Sequence, residues 1–312
     1  MPTATDTVRA DVGIIGGSGL YDLEALTGVR EVRVTTPYGD PSDKLVVGEL
    51  AGLTVAFLPR HGRTHRLAPS QVPARANVYA FKSIGVRQII SVSAVGSLRE
   101  DYAPGDLVTP DQIVDRTRGQ RPSTFFDDNI VVHVPFAEPY CTRLRPALAE
   151  AARGATEATV HDTGTYCCME GPQFSTRAES NLYRSWGLDI IGMTALPEAK
   201  LAREAEICYA GLALVTDYDC WRVAEGYEDV SADAVAEVMR RNGAAAKATL
   251  VALLESADPA VECACHSALS GAIITPLDTV PPAVRERNSL LVGKYLPSST
   301  PAARTVADTQ PV

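Results

Sequence analysis

Two aspartates, Asp217 and Asp219, directly follow an apolar run in the last third of the chain. Carboxyl groups accept hydrogen bonds and, when protonated, donate them. The run from Tyr209 to Val215 holds small and branched apolar residues without alternation, which is typical of a strand covered on both faces. Ligands of open α/β sheets gather outside the carboxyl ends of such strands, so we expect both carboxyl groups to meet a ligand. The alternative is that they begin a turn or cap the next helix.

A glycine-rich stretch follows the first predicted strand and could hold an anion. Gly16-Gly-Ser-Gly19 comes directly after Val12 to Ile15, so its backbone N–H groups and the Ser18 hydroxyl could form a concave nest for phosphate. The alternative is a simple tight turn, because the stretch matches neither the dinucleotide fingerprint nor a P-loop.

Further donors follow other apolar segments. Arg60 follows a predicted strand, where its guanidinium offers a bidentate fork to phosphate oxygens. Its neighbours His61 and His65 are four residues apart, but Gly62 disfavours a helix between them, so we expect no metal there. The segments Ser91 to Ser97 and Gly192 to Thr194 end in small, hydroxyl and glycine residues. Four strand ends thus offer donors suited to one tetrahedral anion.

These candidates need a fold that brings several strand ends together, and the alternation of patterns predicts an α/β fold with one central sheet. We predict a single domain over residues 10–297 with a mixed sheet flanked by helices, a flexible N-terminus over 1–9 and a disordered tail over 298–312. The predicted strands are 12–15, 45–47, 53–58, 88–93, 163–168, 189–192 and 207–215, and the predicted helices are 74–84, 142–153, 176–186, 197–205 and 231–256.

Composition narrows the class of partner. The chain has 312 residues, 46% of them hydrophobic, and a formal net charge of −9. An acidic chain disfavours nucleic acid or an anionic membrane as the main partner, so we expect a small molecule. The N-terminus lacks a basic and apolar signal peptide and no stretch approaches ~20 apolar residues, so we expect a cytoplasmic protein.

The seven cysteines are scattered, and we expect them to be reduced. Cys263-Ala-Cys265-His266 invites a zinc or redox interpretation, but no second pair stands at ligand spacing, so we expect no metal. A strained disulfide between Cys263 and Cys265 remains an alternative.

Six motifs in order resemble the trimeric purine nucleoside phosphorylases, and within them the 5'-methylthioadenosine phosphorylases. The resemblance runs from about residue 11 to 275. The motifs are Gly16-Gly-Ser-Gly-Leu20, Pro59-Arg-His-Gly62, Ala94-Val-Gly-Ser97, Glu170-Gly-Pro-Gln-Phe-Ser175, Gly192-Met-Thr194 and Thr216-Asp-Tyr-Asp-Cys-Trp221.

Two positions indicate the base. Relatives that cleave 6-oxopurines have Glu and Asn where this chain has Ser175 and Asp217. Adenine presents a 6-amino donor and an accepting N7, and a carboxyl group can accept one bond and, when protonated, donate another. The chain is thus similar to the adenine-selective enzymes.

The resemblance implies roles for particular residues. Phosphate would be bound by Ser18, Arg60, His61, Ser93, Ala94 and Thr194. Adenine and ribose would be bound by Phe174, Ser175, Met193, Asp217 and Asp219, although Phe174 and Met193 could instead pack in the core. The 5' pocket would be formed by His65, His133, Ala232, Val235 and Ala236. Ala232 and Ala236 are smaller than the residues common at those places, and the loop from Arg222 to Asp229 is longer by about two residues. We therefore expect a roomier pocket, which would also accept a 5'-halogen.

The implied reaction is displacement of adenine by inorganic phosphate at the anomeric carbon. Asp217, with its pKa raised by a dry pocket and by Asp219, would protonate or hydrogen-bond N7 as adenine leaves, and no metal or organic cofactor would be needed. Family members are trimers, so we expect a homotrimer to which Pro135 to Pro139 contributes, although hexamers occur in the superfamily.

Three rival functions remain. A nucleosidase would use water, for which Arg60 would have no anion to bind. A non-enzymatic adenosine-binding module would not need Ser18, Arg60 and Thr194 together. A 6-oxopurine phosphorylase would have a different residue in place of Asp217.

Overall fold

The computed structural model describes residues 8–17, 20, 25–222 and 232–296, and of residues 232–237 and 239–241 it describes the backbone alone. The predictions for residues 1–7, Ser18, the 223–229 loop and the 298–312 tail lie outside the described residues. The described strands are β1 (Val12–Gly16), β2 (Thr27–Val32), β3 (Leu45–Leu50), β4 (Leu53–Pro59), β5 (Gln88–Ser97), β6 (Leu107–Val108), β7 (Gln112–Arg116), β8 (Val160–His161), β9 (Thr165–Met169), β10 (Ile190–Gly192) and β11 (Cys208–Asp217).

Seven α-helices accompany these strands in the described part of the chain. They are α1 (Ala74–Ser83), α2 (Leu144–Ala155), α3 (Arg177–Ser185), α4 (Ala195–Glu204), α5 (Ala232–Ser256), α6 (Pro282–Arg287) and α7 (Ser289–Val292), and short 3₁₀ helices cover Pro69–Gln71, Ala264–Ser267 and Gly293–Tyr295.

All the described strands belong to one mixed sheet, in which β5 is central. Strands β4, β1, β5 and β11 run parallel to one another, whereas β10 pairs antiparallel with the end of β5. Along its length β5 therefore pairs first with β1 and finally with β10, while β11 accompanies it on the other side. This arrangement gathers the carboxyl ends of β1, β4, β5 and β11 at one edge, the place where such sheets bind ligands.

Helices cover both faces of the sheet, which explains the continuous apolar sequences of the central strands. Ile15 and Ile89 point into a core cluster with helices α1 and α4, whereas Ile14 and Ile90 point into a second cluster with α2 and α5. Every residue of β11 up to Thr216 is buried. The core thus fixes the direction of β11 and with it the position of the carboxylates at its end.

Local sequence signals account for several boundaries. The β3–β4 hairpin turns at Ala51 and Gly52, which both have positive φ, as two-residue hairpin turns require. Helix α3 begins with a capping box, in which the Thr176 hydroxyl accepts from the Glu179 N–H and the Glu179 carboxylate accepts from the Thr176 N–H. Helix α1 ends before Gly85, whose φ is +90°.

The structure confirms the α/β class, the single sheet and the predicted helices. It extends the strand predicted at 88–93 to Ser97 and starts the helix predicted at 197 two residues earlier, with a non-helical Leu196 inside it. The short strands β2, β6, β7 and β8 and helices α6 and α7 were not predicted. No described helix combines the length and the apolar character that crossing a bilayer would require.

Candidate active site

The predicted anion-binding residues lie at the ends of neighbouring strands. Gly16 pairs with Pro59 across β1 and β4, and the Arg60 N–H donates to the Gly16 carbonyl at 2.9 Å. Ser93 and Ala94 lie half-buried near the end of β5. Ser18 is outside the described residues, but its neighbour Gly17 follows β1 at the same edge.

Arg60 is 3% exposed and makes a bidentate ion pair that the sequence did not indicate. Its Nε lies 2.5 Å from Glu198 Oε1 and its Nη2 lies 3.2 Å from Glu198 Oε2. Nη2 also contacts Ser91 Oγ at 2.7 Å, and Nη1 donates to the Val92 carbonyl at 3.0 Å. The guanidinium fork that we expected to bind phosphate therefore binds Glu198, and Nη1 retains the second N–H through which it could contact an anion.

Arg60 and Glu198 form a buried ion pair, in which the carboxylate stabilises the charge of the guanidinium. Burial opposes the positive charge of Arg60, but the Glu198 carboxylate outweighs burial and raises the pKa of Arg60. The carboxylate also accepts from the hydroxyls of Ser91 and Tyr209. Since charges within the protein offset that of Arg60, a phosphate here would also need neutral donors.

His61 is such a neutral group. Its Nδ1 lies 2.8 Å from the Leu67 carbonyl, which makes Nδ1 the protonated nitrogen of the neutral ring. Burial, together with the charge of Arg60, lowers the pKa of His61 to about 4. The ring stacks on His65 with centroids 4.5 Å apart. His61 is therefore uncharged at neutral pH.

Thr194 directly precedes helix α4, and its hydroxyl is buried with no hydrogen-bond partner among the described residues. A buried hydroxyl without a partner is costly, so this oxygen is suited to a ligand. Thr194, Met193 and Arg60 line one small cavity together with Glu198. The structure thus brings together two of the predicted phosphate residues and the predicted ribose residue.

Asp217 and Asp219 close the other part of this edge. Asp217 Oδ1 accepts from the Asp219 N–H at 2.7 Å, and Oδ2 lies 2.7 Å from the Thr216 hydroxyl. Burial raises the pKa of Asp217, and the charge of Asp219 adds to the rise. The Asp219 side chain is 4% exposed, and burial raises its pKa as well. No described cation forms an ion pair with either carboxyl group, so nothing among the described ion pairs opposes this shift toward the protonated form.

The local backbone fits the two carboxyl groups to the end of β5. A β-bulge at Thr216 shifts the pairing so that Asp217 lies opposite Gly96. A Cβ at Gly96 would lie 2.9 Å from Asp217 Oδ1 and 3.3 Å from Asp219 Cβ, which is why glycine is needed there. Asp219 itself adopts a φ of +48°. Asp217 therefore ends β11, and a turn begins at Asp219, as one of the alternatives from the sequence had it, whereas the next described helix, α5, begins only at Ala232.

Ser175 contacts Cys220, the neighbour of Asp219, and Phe174 precedes Ser175 in the chain. The Ser175 hydroxyl donates to Met169 Sδ at 3.7 Å, and the Ser175 carbonyl accepts from the Cys220 thiol at 3.1 Å. Phe174 is 43% exposed, so it does not pack in the core, the alternative left by the sequence.

Arg121 holds the base side together, and sequence reasoning missed it. Its guanidinium pairs with Glu170 at 2.7 Å and donates to the carbonyls of Met193 at 2.6 Å and Leu196 at 2.8 Å. It thereby joins the motif that contains Phe174 to the motif that contains Thr194. Arg121 stands in a loop outside any motif, so no sequence signal indicated this role.

The predictions for the 5' pocket are only partly covered. Ala232, Val235 and Ala236 lie in the first turns of α5, and their side chains are outside the described residues. His65 stacks on His61, whereas His133 lies beside the bridge between Val132 and Ile273, where its N–H donates to the Ala272 carbonyl.

Residues predicted to bind phosphate and residues predicted to bind the base both lie along the end of β5. Ala94 lies opposite Leu214 and Gly96 lies opposite Asp217, so Ala94 is two positions along β5 from the residue that pairs with Asp217. At about 3.3 Å per residue this spans ~7 Å. An anion site and a proton-donating carboxyl group at this separation suit the transfer of a sugar from a base to an anion.

Comparisons with known proteins agree with this geometry. The model of the phosphorylase superfamily matches residues 11–255. An S-methyl-5'-thioadenosine phosphorylase of Geobacter sulfurreducens is 54% identical over 285 residues, covering 91% of this chain and 99% of the relative. One of Thermosynechococcus vestitus is 55% identical over 293 residues, covering 93% and 100%.

Solved structures give the same result. A methylthioadenosine phosphorylase from an antarctic soil metagenomic library superposes with a TM-score of 0.86 at 50% identity, covering 91% of this chain and 99% of that chain. The methylthioadenosine phosphorylase of Schistosoma mansoni in complex with adenine superposes with a TM-score of 0.74 at 36% identity, covering 92% and 98%.

Proposed function

The chain belongs to the phosphorylase superfamily, in its S-methyl-5'-thioadenosine phosphorylase branch, and from that membership we propose how its residues act. It is a pentosyltransferase that cleaves 5'-methylthioadenosine, or a related 5'-deoxy-5'-substituted adenosine, with phosphate. The products are adenine and the 5-substituted ribose 1-phosphate. The observation that carries the assignment of roles is the register of β5 and β11, which places Ala94, a predicted phosphate residue, ~7 Å along β5 from Gly96, the residue opposite Asp217.

We propose that Asp217 is the general acid. Its pKa is raised by burial and by Asp219, so it can donate a proton to N7 as the bond between the anomeric carbon and N9 breaks. After the transfer, the Thr216 hydroxyl and the Asp219 N–H stabilise the carboxylate. Asp219 and Ser175 would hydrogen-bond the remaining polar atoms along the edge of adenine. Phe174 would pack on the face of the ring.

Phosphate would attack the opposite side of the sugar. We assign its binding to Arg60 Nη1, His61, Thr194, and the backbone and hydroxyl groups at Ser93 and Ala94, with Ser18 completing the site. The buried Thr194 hydroxyl without a partner supports this assignment. Positioning and electrostatic stabilisation supply the acceleration, and phosphate is the second substrate of a reaction that uses no other cofactor.

We also propose a cytoplasmic homotrimer in which the segment from Pro135 to Pro139 completes a neighbouring site. Val131 and Ile274 support an interface nearby, because they are 47% and 60% exposed and joined by a backbone hydrogen bond at the bridge beside His133. Sedimentation equilibrium of the full chain measures the assembly; a monomer or a hexamer would overturn it.

The experiment that tests the proposed function is adenine release from 5'-methylthioadenosine with and without inorganic phosphate, with identification of the sugar product. We expect release only with phosphate, and a sugar 1-phosphate. Release that ignores phosphate would make the protein a nucleosidase. A panel of 5'-chloro, 5'-methylthio and bulky 5'-thioether substrates then tests the roomier pocket, which sharp rejection of the thioethers would contradict.

A further inference from the structure

Four cysteines from distant parts of the chain converge in the layer between the sheet and helices α2 and α5. The ligand atoms of Cys141, Cys208, Cys263 and Cys265 all lie within 4.8 Å of one another. Cys141 Sγ and Cys263 Sγ are 3.6 Å apart. The sequence offered only the pair Cys263 and Cys265, and the fold supplies the second pair.

The cluster is enclosed by elements of the core. Cys141 lies just before α2, Cys208 begins β11, and Cys263 and Cys265 flank the start of the 3₁₀ helix that follows α5. Cys141, Cys208 and Cys265 are buried and Cys263 is half-buried. A site that takes all its ligands from buried or half-buried groups on three separate elements is closed to substrates and suited to a structural role.

The sulfur atoms, which all lie within 4.8 Å of one another, are close enough together to be the ligands of one tetrahedral ion. With Zn–S bonds of about 2.3 Å, the edges of a tetrathiolate tetrahedron are ~3.8 Å long. The sulfurs of a disulfide are about 2.05 Å apart, and all four of these cysteines are free thiols in the structure. Four sulfurs held near the edge length of such a tetrahedron form a ready set of ligands.

The surroundings of the cluster carry positive charge and N–H donors, as a negatively charged tetrathiolate requires. The Leu144 N–H donates to Cys141 Sγ at 3.3 Å, and Arg143 Nη2 lies 3.9 Å from Cys208 Sγ. Arg143 Nε is buried without a hydrogen-bond partner. His266 Nε2 lies 3.5 Å from Cys208 Sγ, while Arg87 contacts the other ring nitrogen.

We propose that Cys141, Cys208, Cys263 and Cys265 bind one Zn²⁺ as a closed structural tetrathiolate site. Binding replaces the four thiol protons, which leave to solvent, by four Zn–S bonds, and no oxidant or reductant takes part. The ion would tie the end of α5 to the start of β11 and to α2. Cys208 and Asp217 stand at opposite ends of β11, about 30 Å apart, so the site lies away from the reaction.

The first test is the metal content and thiol count of the untagged full chain, purified under reducing conditions and without chelator. We expect about one zinc per chain, with four thiols that a mercurial reagent blocks only as it releases the zinc. Absence of zinc with all seven thiols reactive in denaturant would overturn the proposal. Absence of zinc with four thiols missing would do so too, and would assign two disulfides instead.

A matched pair of variants separates this site from adventitious zinc. We expect Cys263→Ser/Cys265→Ser to lose the zinc and to melt at a lower temperature, while its turnover at low temperature persists. Cys167→Ala, which changes another buried cysteine on β9, should keep the zinc. Equal zinc in both variants would contradict the assignment.

Cobalt provides a readout that does not depend on the stability of the variant. The wild-type chain prepared with Co²⁺ in place of zinc should show thiolate-to-cobalt charge-transfer bands and the intense visible bands of tetrahedral cobalt. A spectrum of octahedral cobalt without charge-transfer bands would overturn a tetrathiolate site.

Discussion

The two sides of the proposed nucleoside site both remove ionisable groups from solvent but treat their charge in opposite ways. On the phosphate side, Arg60 and Glu198 are each 3% exposed and form a bidentate pair. On the base side, Asp217 and Asp219 are also largely buried, but no described cation faces them. Pairing with Glu198 raises the pKa of Arg60 against the effect of burial, whereas burial without a cation raises the pKa of the two aspartates.

This difference matches the chemistry that each side must perform. A charge that binds an anion throughout the reaction should not change, so a pair with a fixed charge suits the phosphate side. A group that gives up a proton must hold one near neutral pH, so an unpaired carboxyl group suits the base side. Whether a buried ionisable group has an oppositely charged partner therefore decides which role suits it. A paired group suits the binding of an anion, and an unpaired carboxyl group suits the donation of a proton.

Breaking the buried pair should have the largest effect. Glu198→Ala leaves the charge of Arg60 buried without a partner, so we expect a loss of about 3–5 kcal/mol in the free energy of unfolding. The double variant Arg60→Met/Glu198→Met should regain much of this stability, because it leaves no buried charge. Urea unfolding at fixed protein concentration measures both.

The double variant also separates stability from phosphate binding. We expect it to fold but to have a much higher KM for phosphate than the wild type, because it lacks Nη1 of Arg60. An unchanged KM for phosphate would mean that Arg60 serves the fold alone.

Removing the proton from the base side should have the next largest effect. Asp217→Asn keeps the size of the side chain but cannot transfer a proton, so we expect kcat for 5'-methylthioadenosine to fall by about 10²–10⁴-fold. Wild-type kcat should fall as pH rises through the raised pKa of Asp217, because only the protonated form is the acid. This decline should be absent in the variant.

The same variant sharpens the assignment of the base. An amide can donate to a 6-oxo group, so Asp217→Asn should shift the preference toward inosine-type substrates. A variant that retains wild-type activity and its pH profile would show that another group protonates the base.

The sequence predicted the elements that carry strong local patterns. Strands β1, β4, β5 and β11 are rich in apolar residues, and the polar residues of the motifs follow at or near their ends, so the motifs led to the proposed site. Roles of residues without a motif were not predictable. Glu198 stands on a helix and meets Arg60 only because the sheet brings β4 and α4 together, across 138 residues. The sequence likewise did not indicate that Cys141 and Cys208 lie near Cys263 and Cys265, because only the fold brings these distant positions together.

Arg121 acts as a clamp in the proposed site, because it joins Glu170 to the carbonyls of Met193 and Leu196. Weakening this clamp should reduce activity less than removing the proposed acid, Asp217. Arg121→Gln loses the ion pair with Glu170 and the hydrogen bonds to the Met193 and Leu196 carbonyls. The segments that contain these residues would then no longer be held in fixed positions relative to each other. A misplacement of about 1 Å can cost ~10²-fold, and we expect such a fall in kcat/KM for the nucleoside.

The control for this clamp is Arg118→Gln, because Arg118 contacts Glu170 through its backbone N–H at 2.7 Å and its side chain is exposed. We expect near wild-type kinetics from it. Since Arg121 is a positioning residue, the variant should retain the pH profile set by Asp217; a changed profile would mean that Arg121 tunes the acid itself.

Glu204, a buried carboxyl group outside the proposed site, tests whether burial alone raises the pKa of a carboxyl group in this fold. It should give the smallest effect. Glu204 accepts from the Phe125 N–H at 2.7 Å and from the Thr124 hydroxyl at 2.8 Å, and burial raises its pKa to about 7 from 4.5. The native state therefore favours the protonated form, and the stability it contributes below pH 4.5 is lost as pH rises through 7. The loss is on the order of 1–3 kcal/mol.

Glu204→Gln removes this titration and keeps a side chain that can accept from Phe125. We expect the variant to match the wild type near pH 4.5 and to exceed its free energy of unfolding above pH 7, while the exposed control Glu157→Gln follows the wild type throughout. Because Glu204 lies outside the proposed site, kcat should not change. If the wild type and Glu204→Gln lose stability in parallel between pH 4.5 and 7, burial without a cation does not hold a proton in this fold. The protonated state of Asp217 would then depend on the charge of Asp219 instead.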